Sequence, residues 1–117
     1  MIFLLNKTLK ISMLFDFYGN LLTKKQQSIV ESYFYNDLSL AEIAENIGIS
    51  RQGVYDHLQR SEKSLEEYEE KLGLVKKYKD LRNNINQLEE ILRNDEMLNN
   101  NNREEVMDKL EYIKSIL

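Results

Sequence analysis

The chain has 117 residues, of which 42% are hydrophobic and 31% charged, with no proline, four glycines, no cysteine and a net charge of −4. This length holds one compact domain with an appendage, or two small helical units, and excludes a multidomain enzyme. Without cysteine there is no disulfide framework or thiolate metal site, the expected compartment is reducing and cytoplasmic, and the scarcity of helix-breaking residues makes all-α the expected class.

The sequence opens with the apolar run Ile2 to Leu5, cut off by Asn6 and Lys7. That is too short to cross a membrane, and no small-residue cleavage site follows, so it reads as the start of a first helix. A second methionine, Met13, is an alternative start. Gly19-Asn20 breaks the helix, and Thr23-Lys24-Lys25-Gln26 forms a capping box that opens the next one. Ile29, Val30, Tyr33 and Phe34 have the spacing of one buried face, which Asn36-Asp37 closes. Aromatic residues Phe15, Phe17, Tyr18, Tyr33, Phe34 and Tyr35 read as core. Ser39, with Glu42 three residues on, opens a short helix whose inward positions are Leu40, Ile43, Ala44 and Ile47, and Gly48 ends it. Ser50 caps a third helix through Val54, Leu58, Leu65, Tyr68 and Leu72 to about Gly73.

From Leu74 the apolar residues Leu74, Tyr78, Leu81, Ile85, Leu88 and Leu92 alternate in steps of four and three, a heptad seam. Asn94 to Asn102 reads as a loop. Asn102 is placed to cap a last helix in which Val106, Leu110, Ile113 and Leu117 repeat the spacing. The two seamed helices form either an intramolecular hairpin or a dimerisation arm. The dimer reading is preferred, since a lone two-helix hairpin buries little. The expected architecture is a helix-turn-helix bundle over residues 1–73, like region four of sigma factors, its long helix followed by a C-terminal helical hairpin over 74–117.

The central motif lies at about residues 39–60. A helix-turn-helix needs a small residue where its helices cross, a glycine four residues later for the turn, and branched residues pinning the second helix. Ala44, Gly48, Ile49 and Val54 meet these demands in order. If the motif binds duplex DNA, Arg51, Gln52, Tyr55, Asp56 and Gln59 face base edges, and Thr23, Lys24, Lys25, Ser50, His57 and Arg60 are candidates for phosphate contacts. The alternative is a tri-helical scaffold used for protein binding. Charge bears on the choice, because phosphate neutralisation supplies much of nucleic-acid affinity. Residues 1–36 carry four Lys/Arg against two Asp/Glu, whereas 37–72 carry four against nine, so the motif sits in the most acidic stretch. Glu62, Glu66, Glu67, Glu69 and Glu70, which continue its second helix, are expected to repel a duplex lying alongside.

No catalytic constellation is visible. His57 is the only histidine, and no nucleotide loop, triad or metal spacing accompanies it. Neither a cofactor nor a metal is expected, and the paired glutamates read as a solvated face.

The run Leu22-Thr23-Lys24-Lys25-Gln26-Gln27, then Leu38-Ser39-Leu40-Ala41-Glu42-Ile43-Ala44 and Ser50-Arg51-Gln52-Gly53-Val54-Tyr55-Asp56, resembles sigma factor region four. The wider stretch from Leu14-Phe15-Asp16-Phe17-Tyr18 to Leu74 is more closely similar to the YlxM family of helix-turn-helix proteins of Gram-positive bacteria. This resemblance implies a small protein whose gene neighbours those of the signal recognition particle GTPase and its receptor. It further implies a modulator of that pathway or its expression, with the particle's protein or RNA as partner. Gly53 departs from the alanine usual in the family, and glycine there costs about 1 kcal/mol or less of helix stability. Two functions follow as expectations: an adaptor of the targeting particle, suited by its acidic surface to a basic partner, and a DNA-binding transcription regulator. A structural scaffold is the third.

Overall fold

A computed structural model describes residues 2–93 and 100–116, and all regular structure among them is helical. The elements are α1 (Ile2–Tyr18), a short 3-10 turn (Gly19–Leu21), α2 (Lys24–Val30) running into a π turn (Glu31–Tyr35), α3 (Leu40–Ile47), α4 (Arg51–Leu72), α5 (Leu74–Arg93) and α6 (Asn100–Ile116). No helix among the described residues is long and apolar enough to cross a membrane. The chain divides into two compact units, residues 1–73 and 74–117.

The first unit is organised around α4, which packs against α1, α2 and α3. Its buried column is Val54, Leu58, Ser61 and Leu65. Facing it are Ile11, Leu14 and Tyr18 of α1, Ile29 and Val30 of α2, and Ile43 and Ala44 of α3. Each fully buried Leu, Ile or Val contributes about 1.5–3 kcal/mol from lost water contact. Ser61 is fully buried, and its hydroxyl donates to the His57 carbonyl at 2.7 Å, so it carries no unmet polar group into the core. The helix starts are fixed as the sequence predicts. Thr23 with Gln26, and Ser39 with Glu42, form complete capping boxes, and Ser50 accepts the Gly53 amide at 2.9 Å. Gly48 ends α3 at φ 74 and Gly73 ends α4 at φ 63, left-handed conformations open to glycine at little steric cost.

Several expected inward positions turn outward. Tyr33 is 39% exposed and Phe34 only half-buried, because the Asn36 amide donates to Glu31 five residues back and this wider turn rotates the face begun by Ile29 and Val30. Of the aromatic group only Tyr18 is fully buried, and Phe17, Tyr33 and Tyr35 are exposed. Ile47 and Leu72 are exposed as well, each in the last turn of its helix, beyond the reach of the core.

In the second unit α5 and α6 pack against each other, with Tyr112 near Asp80 and Lys109 hydrogen-bonded to Gln87, so the helices run antiparallel. The buried residues of α5 are Val75, Leu88 and Ile91, while Leu74, Tyr78, Ile85 and Leu92 are exposed and Leu81 is intermediate. The seven-residue stripe therefore does not coincide with the buried face. The buried face is offset from the stripe along the whole helix, since Leu74 and Tyr78 at its start are already exposed, and it runs through Leu81, Asn84, Leu88 and Ile91 in steps of three and four. On α6, Val106 and Ile113 are half-buried and Leu110 is 38% exposed. Asn102 lies inside α6, which has already begun at Asn100, and so is not its cap. The rest of the expected loop, 94–99, and Leu117 lie outside the described residues.

Leu65 is fully buried at the centre of the first unit. Leu65→Ala is expected to destabilise it by about 2–5 kcal/mol, read as a lower urea midpoint with an unchanged m-value.

Candidate nucleic-acid interface

The second helix of the motif is α4, and its first turn projects from a rigid base. Ser50 caps it, Gly48 turns the chain into it, and Val54 and Leu58 anchor it behind. A Cβ at Gly53 would meet the Ser50 Oγ at 3.2 Å, so the glycine leaves room for the cap, and the helix is continuous through it.

Arg51, Gln52, Tyr55, Asp56 and Gln59 are all exposed on α4. They do not form one uniform row. Gln52 donates to Asp56 at 3.0 Å, which ties two of the five side chains to each other. Tyr55 and Gln59 stand on another flank, where they border a groove with Tyr33, Leu38 and Leu40. Arg60 leans back along the helix, its Nε donating to the Asp56 carbonyl at 3.4 Å.

The opposite flank is basic. Thr23 caps α2, Lys24 and Lys25 occupy its exposed first turn, and Lys25 lies close enough to α4 to act on His57 together with Arg60. Burial first, then the Arg60 and Lys25 charges, hold the His57 imidazole below its ordinary value of 6.5, against a smaller opposing pull from Asp56. Its Nδ1 is buried without a hydrogen-bond partner among the described residues. The fold thus brings Lys25, His57 and Arg60 together from two helices. Ser50 and Thr23 serve as caps, with their hydroxyls engaged by backbone amides.

The acidic continuation of α4 is placed differently from what its composition suggests. Glu62 pairs with Lys7 at 3.4 Å, Glu66 with Lys10 at 3.2 Å, and Glu69 accepts the Tyr18 hydroxyl at 2.5 Å. These three acids face α1, leaving Glu67 and Glu70 on the exposed surface. Two of the five acids in the run, Glu62 and Glu66, are thus matched by cations. Lys7 and Lys10, three apart on α1, match Glu62 and Glu66, four apart on α4. That register was present in the sequence, but the pairing of α1 with α4 was needed to see it. Among the described residues no group of three or more His, Cys, Asp or Glu is placed to hold a metal ion.

The family described as "Putative helix-turn-helix protein, YlxM / p13 like" (UPF0122) matches residues 5–111. A UPF0122 protein of Listeria monocytogenes serotype 4b is 47% identical over 110 residues, covering 94% of this chain and 96% of its own. One from Caldanaerobacter subterraneus subsp. tengcongensis is 56% identical over 82 residues, covering 70% of each chain. One from Bacillus cereus is 43% identical over 113 residues, covering 97% of this chain and 99% of its own.

The depressed His57 value has a testable sign. Well above pH 6.5 the imidazole is neutral in both folded and unfolded chains and contributes no pH dependence. As the pH falls below that, the unfolded chain takes up the proton first, so His57 lowers stability progressively until the folded value is passed. Titration of the imidazole by NMR should give a midpoint below 6.5, and His57→Gln should flatten the loss of stability across that window.

Proposed function

The chain belongs to the UPF0122 family of YlxM- and p13-like helix-turn-helix proteins, and on that premise we propose that it is a small regulatory protein modulating the signal recognition particle pathway. It contacts the particle's protein or RNA through the helix-turn-helix face, and it works in the cytoplasm. The family is not an enzyme family, and the proposed role requires no chemistry beyond binding. The observation that carries the nucleic-acid part is the basic flank: exposed Lys25 of α2 and Arg60 of α4 both lie near enough to His57 for their charges to act on it, and Lys24 adjoins Lys25 in the chain. Phosphate groups are recognised by such cations, and their affinity falls steeply with salt. The pathway itself rests on the family resemblance.

A second reading is sequence-specific binding of duplex DNA, with Arg51, Gln52, Tyr55, Asp56 and Gln59 at base edges and Thr23, Lys24, Lys25, Ser50, His57 and Arg60 along the phosphates. It is supported by the ion pairs of Glu62 and Glu66 with Lys7 and Lys10, which compensate two of the five acids of the run. Capture from lysate with and without nuclease, identifying proteins and nucleic acids, separates the two. The first reading expects the particle's components, and repeated failure to recover them at low salt removes it. Selection from random duplexes that returns no motif removes the second. Under either nucleic-acid mode, Lys25→Ala with Arg60→Ala should make the salt dependence shallower by about two phosphate contacts.

The α5–α6 hairpin is proposed as a homodimerisation arm. Leu74, Tyr78, Leu81, Ile85, Leu88 and Leu92 of α5 and Val106, Leu110, Ile113 and Leu117 of α6 are its candidate residues. Tyr78, Ile85, Leu92 and Leu110 are exposed apolar side chains, more than a two-helix unit would ordinarily leave to water. Light scattering should report a dimer, which Ile85→Glu with Leu92→Glu converts to a monomer of unchanged helicity. A monomer at all concentrations of the unaltered chain excludes the arm.

A further inference from the structure

A groove of about 550 Å³ lies beside the motif, walled by α1, the π turn, the start of α3 and α4. Its floor is apolar: Leu58 is buried, and Phe34, Leu38 and Leu40 are half-buried. Tyr33 stands over it at 39% exposure, edge-on to Phe34 at 5.0 Å. The rim carries three carboxylates, Asp37, Glu42 and Glu62, against the single ammonium of Lys7. That ammonium is already matched by Glu62 at 3.4 Å. Glu42 accepts the Ser39 amide at 3.2 Å and has no ion-pair partner among the described residues. Asp37, held at φ 54 where the π turn ends, has neither cation nor hydrogen-bond donor on its carboxylate among the described residues. The groove therefore combines an apolar floor with two carboxylates, Asp37 and Glu42, that no cation among the described residues compensates.

We infer that this groove docks a basic, apolar segment of a partner protein, one presenting large aliphatic side chains to the Phe34–Leu58 floor and a Lys or Arg to Asp37 and Glu42. Charge complementarity selects the occupant. A phosphate backbone would meet the same two carboxylates and be repelled, and a bare cation would leave the apolar floor in water. The volume falls within the range that holds several buried side chains or a sizeable ligand. This surface lies on the other flank of α4 from Lys25 and Arg60 and goes beyond the nucleic-acid role proposed above. Tyr55 and Gln59 belong to its wall, so a docked segment covers two of the five residues that a duplex would use.

The probe is a synthetic amphipathic peptide of leucine and lysine, compared with the same peptide bearing glutamate at every lysine. Binding to the full-length, isotope-labelled chain is followed by NMR. The lysine peptide should shift Tyr33, Leu38, Leu40 and Tyr55, and Asp37→Asn with Glu42→Gln should weaken it about tenfold. Both substitutions keep the fold, since asparagine tolerates the left-handed conformation and glutamine retains the capping box. Equal binding of the glutamate peptide, unchanged affinity in the double variant, or shifts confined to residues 74–117 overturns the inference. Lys25→Ala with Arg60→Ala should leave peptide affinity unchanged, so failure here is distinguishable from failure of the nucleic-acid reading.

Discussion

The first unit depends on one buried column, Val54, Leu58, Ser61 and Leu65 of α4, against which three other helices pack. Close approach at its centre requires a small residue, and Ser61 supplies one while returning its hydroxyl proton to the helix's own backbone. A larger side chain there would push the surrounding helices outward, and overpacking a core costs about 1–3 kcal/mol. The orientation of the exposed first turn, the basic flank and the acidic groove all follow from this column, since each is a different face of one helix fixed from behind.

Net charge is a poor guide to such a molecule. A total of −4 describes a particle seen from far away, whereas binding is decided within a Debye length of about 8–10 Å. At that range the molecule presents a cationic flank at Lys25 and Arg60 and an anionic trough at Asp37 and Glu42. Along the same helix Glu62 and Glu66 are paired with Lys7 and Lys10 of α1, and Glu69 accepts the Tyr18 hydroxyl. Helix α4 therefore separates surfaces of opposite preference.

Local chemistry was legible in the sequence because it is read from neighbours along the chain. The capping boxes at Thr23 and Ser39, the Ser50 cap and the left-handed turns at Gly48 and Gly73 are where their residue types place them. What depends on accumulated geometry was not legible. The π turn at Glu31–Tyr35 adds a residue to a helical turn without any mark in composition, and it turns Tyr33 and Phe34 toward the groove. The apolar stripe of α5 meets the buried face at Leu88, while Val75 and Ile91, outside the stripe, are buried as well, and which flank of the helix α6 covers is not written in the spacing. Among the candidate site residues, the gathering of Lys25, His57 and Arg60 required knowing how α2 meets α4. The role of Lys7 and Lys10 required knowing that α1 lies along the acidic end.

That last arrangement has an evolutionary consequence. Lys7 and Lys10 form cross-helix ion pairs with Glu62 and Glu66, residues more than fifty positions away in the chain. Losing one partner leaves a carboxylate facing α1 without its counter-ion, and Glu62, at 14% side-chain exposure, has little water to replace it. Substitutions at the two ends should therefore travel together among relatives. A charge reversal on one helix would be matched by reversal on the other, leaving the pairing intact while the sign of the surface changes.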